Sequence, residues 1–407
     1  GGTGEWARWS PFHGRLPGTA PPEMVVVSAA TMSDSDVRMP AIRAADVVLP
    51  SRDLSADLAF FTGTLGFRLD TIFPADDPAV ATLSGHGLRV RLDRSATHAP
   101  GVIRLLCDTR SEVTGGAGSL TTPGGTRVEV AEAVPVTVTP PTDHAFMVRH
   151  LVDGAPWVVG RAGMRYRDLI PGRLGGSIIA SHIRIPDAGP VPDMVHYHTV
   201  GFQLIYCYTG WVRLVYEDQG PPFVLAANDC VIQPPEIRHR VLESSENLQV
   251  IEIGVPAEHI TTVDHELTLP TSRVRPTRSF AGTAFCRSEA AAARWTPWRI
   301  PGFEGRETGI NAATRGVASV QVARPAGAVK GQVTSHASDI LFTFVLSGSV
   351  TLHADGQGVH AIGEGDAFVV PPHLRTALSG ASKDLRLLEV SLPGTFETTT
   401  HSDVSLG

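Results

Sequence analysis

The chain has 407 residues, a formal net charge of −7 at pH 7 and a hydrophobic fraction of 42%. That length suggests about two to three domains with ample apolar material for buried cores, and the mildly negative balance offers no basic surface to nucleic acid or an anionic membrane. No apolar run approaches the ~20 residues that span a bilayer, no charged segment followed by an apolar core opens the chain, and the four cysteines (Cys107, Cys207, Cys230, Cys286) form no Cys-x-x-Cys pair, so a reducing cytoplasm is expected rather than a disulfide framework.

Residues 1–40 are rich in Gly, Pro and small polar residues and are expected to form a loose N-terminal segment, with Trp6 and Trp9 as side chains that could dock. Ala45–Pro50 reads as a short strand, and Asp53 follows where a helix N-cap belongs. Leu54, Leu58, Phe61 and Leu65 recur at helical spacing, with Gly66 as a stop. Phe67–Phe73, Ala79–Ser84 and Leu88–Leu92 are strand-length runs bounded by Pro, Asp or Gly, and Val102–Leu106 adds another. Strand, helix and three strands make a small α+β βαβββ module. The wording Val48-Leu-Pro-Ser-Arg-Asp-Leu54 and Phe60-Phe61…Leu65-Gly66-Phe67 resembles the glyoxalase/bleomycin-resistance (vicinal oxygen chelate) family over residues 41–108. Members of that family build a metal site from two such modules, often with a His on the first strand. Here Asp46 holds that position and no second module is evident, so the resemblance implies a packing, dimerisation or lid module rather than a chelate site. A lone module leaves a sheet face or edge to bury, which leaves a homodimer open.

Residues 109–145, rich in Gly, Thr, Pro and Val, are expected to form a linker, with breaks at Gly115–Gly118 and Pro140-Pro141 and a candidate strand over Val128–Val138. From Phe146 onward the chain repeats. Pro156-Trp157 returns as Pro297-Trp298, Arg167 as Arg306, His198 as His336, Gly210 as Gly348, Pro234-Pro235 as Pro371-Pro372 and Glu252 as Glu389, at an offset of roughly 138 residues. Each copy consists of short apolar strands between turn residues, the pattern of a small jelly-roll barrel. The expected fold is therefore mainly β, two jelly-roll barrels in tandem over 146–274 and 275–395 after the α+β module, with a tail over 396–407. Ser288–Arg294 is a short helix candidate between the copies.

His196 and His198 sit one residue apart on an extended segment, so both side chains point the same way. Gln203 follows, then Gly210, and the turn Pro234-Pro235 leads to His239. Three imidazoles and an amide oxygen suit a divalent transition metal. These residues match both sequence blocks of the cupin family, His-x-His with a carboxylate or amide and a Gly, then a Pro-rich turn and a His. The resemblance implies one metal ion in the barrel mouth, held by His196, His198, Gln203 and His239. Gln203 departs from the Glu of many cupins, and a neutral ligand leaves the ion its full double charge, which favours an anionic or chelating substrate. In the second copy Thr334, Leu341 and Thr376 replace His196, Gln203 and His239, so that barrel is expected to be degenerate. The layout is similar in architecture and ligand type to bicupin ring-cleaving dioxygenases of hydroxylated aromatic acids.

Other residues near the ligands carry two readings each. His182 and Arg184 share one face of a strand. If that face is the barrel interior, Arg184 could grip a carboxylate; if it faces water, the pair is a solvated stripe. Cys207, in phase with Gln203, is either a pocket-wall thiol or a small core residue, and Gln233 is a pocket-lining candidate. The chemistry suits a ferrous dioxygenase acting on a small enol, dicarbonyl or hydroxylated aromatic acid, with Mn, Ni, Zn or Cu as alternatives to iron. A non-redox metal isomerase or lyase and a metabolite-binding barrel without turnover are the competing readings. No residue stands out as a general base.

Overall fold

The structure, a computed structural model, describes residues 43–401 apart from 116, 118, 134–137, 155, 328 and 330. The expected N-terminal segment with Trp6 and Trp9 lies outside the described residues, as do Gly116, Gly118 and 402–407. The chain divides into two compact units, Gly1–Val134 and Pro135–Gly407.

The first unit starts with β1 (Val47–Pro50), α1 (Leu54–Gly63), β2 (Arg68–Phe73), β3 (Val80–Gly85) and β4 (Leu88–Asp93) in one sheet of order β1-β4-β3-β2. Asp53 caps α1 by accepting from the Ala56 amide at 3.0 Å. Leu54 and Phe61 enter the core while the buried Asp57 carboxylate accepts from Ser51 Oγ and, at 2.8 Å, from the Gly124 amide. That last contact belongs to residues expected to be a linker. Over 109–133 the chain instead forms α2 (Arg110–Thr114), β6 (Ser119–Thr121) and β7 (Arg127–Glu132), and β7 lies parallel to β5 (Val102–Cys107). Ile103, Val128 and Val130 are buried in the same core as Leu49, Leu83 and Leu92, and their apolar alternation ties this stretch to the first unit. β1 runs parallel to β4 as β5 does to β7, so the second piece repeats the first with one strand fewer. Asp46 is held by Arg89 at 2.7 Å, and His86 Nε2 bonds the Leu65 carbonyl at 2.7 Å.

The second unit holds β8 (Met147–Arg149), β9 (Val158–Val159), β10 (Arg165–Asp168), β11 (Ile179–Ile185), β12 (Gly189–Pro190), β13 (His196–Thr199), β14 (Phe202–Thr209), β15 (Trp211–Tyr216), β16 (Phe223–Ala226), β17 (Cys230–Ile232), β18 (His239–Ser244), β19 (Leu248–Val255) and β20 (Ile260–Val263). It continues with β21 (Ser279–Phe280), β22 (Thr283–Ala284), β23 (Cys286–Ser288), β24 (Trp295–Pro297), β25 (Phe303–Glu307), α3 (Ile310–Ala313), β26 (Ser319–Pro325), β27 (Val333–His336) and β28 (Ile340–Ser347). The last strands are β29 (Ser349–Ala354), β30 (Gly358–Gly363), β31 (Ala367–Val369), β32 (Thr376–Ser379), β33 (Arg386–Leu392) and β34 (Thr398–His401). They make two jelly-roll barrels, as the repeat leads one to expect. Each barrel has a seven-stranded sheet (β23-β17-β14-β19-β11-β10-β9 and β24-β25-β26-β33-β28-β31-β8) facing a smaller one (β16-β15-β18-β13-β20 and β30-β29-β32-β27-β34). Gly210 and Gly348 turn the chain between β14 and β15 and between β28 and β29 at φ +78° and +74°, a conformation that costs a glycine nothing.

Three differences from the sequence reading follow from edge pairing. β8 precedes the first barrel yet pairs with β31 of the second, and β23 precedes the second yet pairs with β17 of the first. Ser288–Arg294 gives only a single helical turn at Ala290–Ala292, because Cys286–Ser288 is drawn into that sheet. Thr398–His401 is not tail but β34, paired to β27.

The two large sheets bury one continuous core between the barrels, including Leu204, Tyr206, Ile251, Phe342, Phe344 and Val390. Arg167 Nη2 of the first barrel donates to Gly365 O of the second at 2.6 Å, and Arg306 Nη2 of the second donates to Asn228 O of the first at 2.6 Å. His182 accepts from Arg167 on Nδ1, meets Gln249 Oε1 at 2.7 Å through Nε2, and packs on Phe344 of the second barrel.

Burial, then the Arg167 charge, push His182 down to about 4, and burial does the same to His336. The unfolded chain takes up protons below pH ~6.5 that the fold excludes until about 4. Stability contributed by these neutral imidazoles is therefore present above pH ~6.5 and lost as the pH falls through that window. Unfolding midpoints followed from pH 7 to 4 are expected to fall steadily. His182→Gln should flatten the slope near pH 5 by up to about one proton; an unchanged slope would show that His182 titrates freely in the fold.

Candidate metal centre

The local backbone explains why three distant histidines meet. β13 buries His196 and His198 and leaves Tyr197 and Thr199 half-exposed. After β17 the Pro234-Pro235 turn, with Glu236 in a left-handed conformation at φ +61°, folds back so that the Glu236 amide reaches His198 O at 3.1 Å. β18 then begins with His239 opposite His196. The ring centres of His196 and His239 are 4.2 Å apart, and each is about 5 Å from His198, at 5.1 and 5.2 Å. One nitrogen of each ring lies within 4.8 Å of the others.

Hydrogen bonds decide which nitrogen that is. His196 Nδ1 lies 2.7 Å from Met194 O, His239 Nδ1 2.9 Å from Ile237 O and His198 Nδ1 2.9 Å from Thr261 Oγ1. A carbonyl only accepts, so Nδ1 of His196 and His239 carries the proton and Nε2 presents its lone pair, the orientation expected of metal-binding imidazole. Burial is the main cause that drives His198 down to about 2, His239 well below its ordinary range and His196 in the same direction, with Arg161 adding to each. All three are neutral ligands at pH 7, and uptake of an ion need not displace protons from them.

Three buried acceptor atoms in this region have no partner, His196 Nε2, Gln203 Oε1 and Gln233 Oε1. Gln203 Nε2 donates to Glu252 Oε1 at 2.6 Å. The carboxylate can only accept, so Glu252 fixes the amide with its nitrogen toward itself and its oxygen free. A lone pair left buried without a donor costs about 1–3 kcal/mol, and a cation held between the three rings would relieve that of His196 Nε2. The donor set of three imidazole nitrogens and one amide oxygen fits a transition metal.

The histidines open on a cavity of about 710 Å3. Its wall includes Gln233, Glu252, His259 and the cations Arg149, Arg161 and Arg173. Gln233 Nε2 donates to Tyr216 Oη at 2.9 Å. Arg161 pairs with the buried Asp193, whose other oxygen takes the Val241 amide at 2.9 Å. Arg149 Nε is buried without a partner.

Of the residues weighed from the sequence, Gln233 lines the cavity. His182 and Arg184 do not: Ser181, Ile183 and Ile185 face inward, so their neighbours in alternate phase point out of the barrel. His182 is in the interface between barrels, and Arg184 bonds Asn247 Oδ1. Cys207 is a buried core thiol pushed up to about 12 by burial, within reach of Gly210 O. His259, with its ring 5.4 Å from His198, went unseen because it sits in the β19–β20 connection with no periodic partner. Glu252 stood out only as half of the Glu252/Glu389 repeat. In the second barrel His336 bonds Val370 O and the Ser338 amide through its two nitrogens, leaving no lone pair for an ion.

No family model matches the chain, and no curated protein matches it. Among solved structures it is similar to salicylate 1,2-dioxygenase from Pseudaminobacter salicylatoxidans, at 14% identity and a TM-score of 0.47, over 66% of this chain and 91% of that one. A gentisate adduct of salicylate 1,2-dioxygenase matches at 14% and 0.46, over 65% and 87%. The protein Ylba from E. coli matches at 13% and 0.46, over 63% and 94%.

Protein expressed in metal-replete medium is expected to carry about one transition-metal ion per chain, measured by elemental analysis. His239→Ala should lose it, and Glu252→Leu, which releases the Gln203 amide, should weaken retention about 10–100-fold. Equal metal content in all three proteins would refute this site.

Proposed function

We propose that the first barrel is the site of a metal-dependent oxygenase acting on a chelating, anionic molecule such as an enol, dicarbonyl or hydroxylated aromatic acid. The observation that carries this reading is the convergence of three buried neutral imidazoles, each bonded on Nδ1 and two of them thereby leaving an Nε2 lone pair free. His196, His198, Gln203 and His239 would hold the ion, with iron(II) favoured over Mn, Ni, Zn or Cu. An iron(II) ion supplies the one-electron chemistry that spin-paired substrates need in order to react with dioxygen.

The chain's own residues do the rest. Gln203 contributes no charge, so these four neutral ligands would leave a bound divalent ion its own charge toward an anionic oxygen, offset only by the Glu252 carboxylate behind the amide. Glu252 holds the amide in place. Arg161 and Arg173 are offset by Asp193 and Asp168, which leaves Arg149, with its Nε unpartnered, as the wall cation that would grip a carboxylate. The apolar walls exclude water and strengthen each of these interactions. Glu252 also favours a second reading. It is a carboxylate on the cavity wall, two residues from the rung that carries Gln203, and so supplies the proton acceptor that a non-redox isomerase or lyase requires. A barrel that only binds its metabolite is the third.

We read the first unit as a glyoxalase-like module without a chelate site, since Arg89 occupies the Asp46 carboxylate, and as the surface through which a homodimer would form. The four cysteines are free and no helix among the described residues is long and apolar enough to cross a membrane; a cytoplasmic location is our proposal.

Iron(II)-loaded protein is expected to consume dioxygen with 1,3-diones or hydroxylated aromatic acids, read with an oxygen electrode, and His239→Ala to lose at least about 100-fold of that rate, the scale on which one key electrostatic contributor acts. Product formation that proceeds equally without oxygen would move the assignment to the second reading, and tight binding without any product to the third.

A further inference from the structure

The two barrels are copies of one fold, and their interiors differ in one respect that ligand loss does not explain. The first encloses about 710 Å3, the second about 20 Å3. Losing ligands does not fill a barrel; side chains do. In the first barrel the Gly160 amide bonds Met164 O across the turn between β9 and β10, and in the second the Trp298 amide bonds Phe303 O across the corresponding turn. Gly160 lines the open cavity, whereas the Trp298 ring is buried in the closed one. Val231 stands opposite Ile205 on β14, and Phe368 stands opposite Thr343 on β28. Side-chain bulk is redistributed between the copies: Tyr166 packs on Gly160 in the first and Trp298 on Gly305 in the second, while Thr343–Phe368 stands where Ile205–Val231 does.

The open space has an order along the strands. On β11 and β19 the pair Ser181–Glu252 is followed by Ile183–Val250 and then Ile185–Leu248. On β15 and β18 the pair Tyr216–His239 is followed by Leu214–Val241, with Val212 beyond. All of these line the cavity or, for its apolar members, share one core cluster. The β11–β19 wall passes from a polar rung to two successive apolar rungs, and the β15–β18 wall from the His239 rung to the apolar Leu214–Val241 rung and then Val212 opposite Ser244. Four residues of strand span about 13 Å, far beyond the reach of a single hydroxylated ring bound at the ion. An apolar cavity holds no water well, since water needs polar partners there, and leaving it empty destabilises the barrel.

We propose that the substrate carries an extended apolar body, an alkyl chain or its equivalent in length, attached to the oxygen-bearing head, and that the compartment walled by Ile183, Ile185, Leu214, Val241, Leu248 and Val250 receives that body. The head of this substrate rests on the metal-site reading above; the tail does not. Burying the tail fixes the head against the ion and Glu252, so the remote carbons contribute to orientation as well as to affinity.

Calorimetric titration of pentane-2,4-dione, nonane-2,4-dione and nonan-2-one into metal-loaded and metal-free protein tests both parts separately. Each added methylene should tighten binding about fourfold, so the longer dione should bind about 100-fold or more tighter than the shorter. Nonan-2-one, which has no chelating pair, should bind metal-free protein. Val231→Phe, copying the second barrel, should bring the affinity ratio of the two diones toward one; Val250→Phe serves if that variant does not fold. Equal affinity of the two diones, together with no binding of nonan-2-one, overturns the proposal. Binding of nonan-2-one with no metal-dependent gain for either dione would uphold the compartment and overturn the metal reading instead.

Discussion

The face-to-face burial of the two seven-stranded sheets is the constraint on which the rest of the large unit depends. Each sheet presents Leu, Ile, Val and Phe side chains outward from its own barrel, and neither could face water with that surface. The pairing fixes the inner parity of every strand in those sheets, and so fixes which residues are left to line a cavity. Its polar members are matched in part, with Arg167 Nε and Nη1 and Arg306 Nε buried without partners. Arg167 and Arg306, only 1% and 4% exposed, each spend a donor on a carbonyl of the opposite barrel, and burial lowers the pKa of Arg167. The exchange satisfies two carbonyls that would otherwise be stranded, at geometrically corresponding places.

The duplication also isolates what sets the Gln203 amide apart. Glu252 and Glu389 occupy the same register, opposite Ile205 and Thr343. Where Gln203 is present, Glu252 takes its amide. Where Leu341 stands instead, Glu389 is neutralised by Arg299, from the turn that in the first barrel carries Arg161. Arg161 pairs with Asp193 instead, which leaves Glu252 free for the amide. One arginine's choice of partner thus separates a site that presents an oxygen lone pair from a closed ion pair under Trp298.

Much of this is legible in the sequence, and what is not has a physical cause. Period-two alternation places His196 and His198 together, and the Pro-Pro turn announces His239, because both are local rules of strand and turn. The same alternation puts His182 and Arg184 on one face but cannot say which face is inward; packing of the second barrel against that face decides it. Glu252 and His259 join the site through pairings across many residues. The stretch over 110–132 reads as a connection because its strands are short and its turns rich in Gly, yet Ile103, Val128 and Val130 bind it to the first core. Trp157 and Trp298 read as equivalents from their shared Pro-Trp wording, but the turn bonds match Trp298 with Gly160, as the offset of roughly 138 residues also requires.

The crossing of β8 and β23 bears on descent. A strand that leaves its own barrel to complete the sheet of a twin, reciprocated by the twin, is the arrangement of a swapped homodimer. Joined end to end, two such subunits become a single chain in which each half retains the other's edge. Once joined, the halves need no longer be identical. One lineage of residues could turn aromatic and close its interior, since the fold asked only that its outer sheet and lent strand survive. The closed barrel is then the permanent partner of the open one, each holding the strand that covers the other's sheet edge.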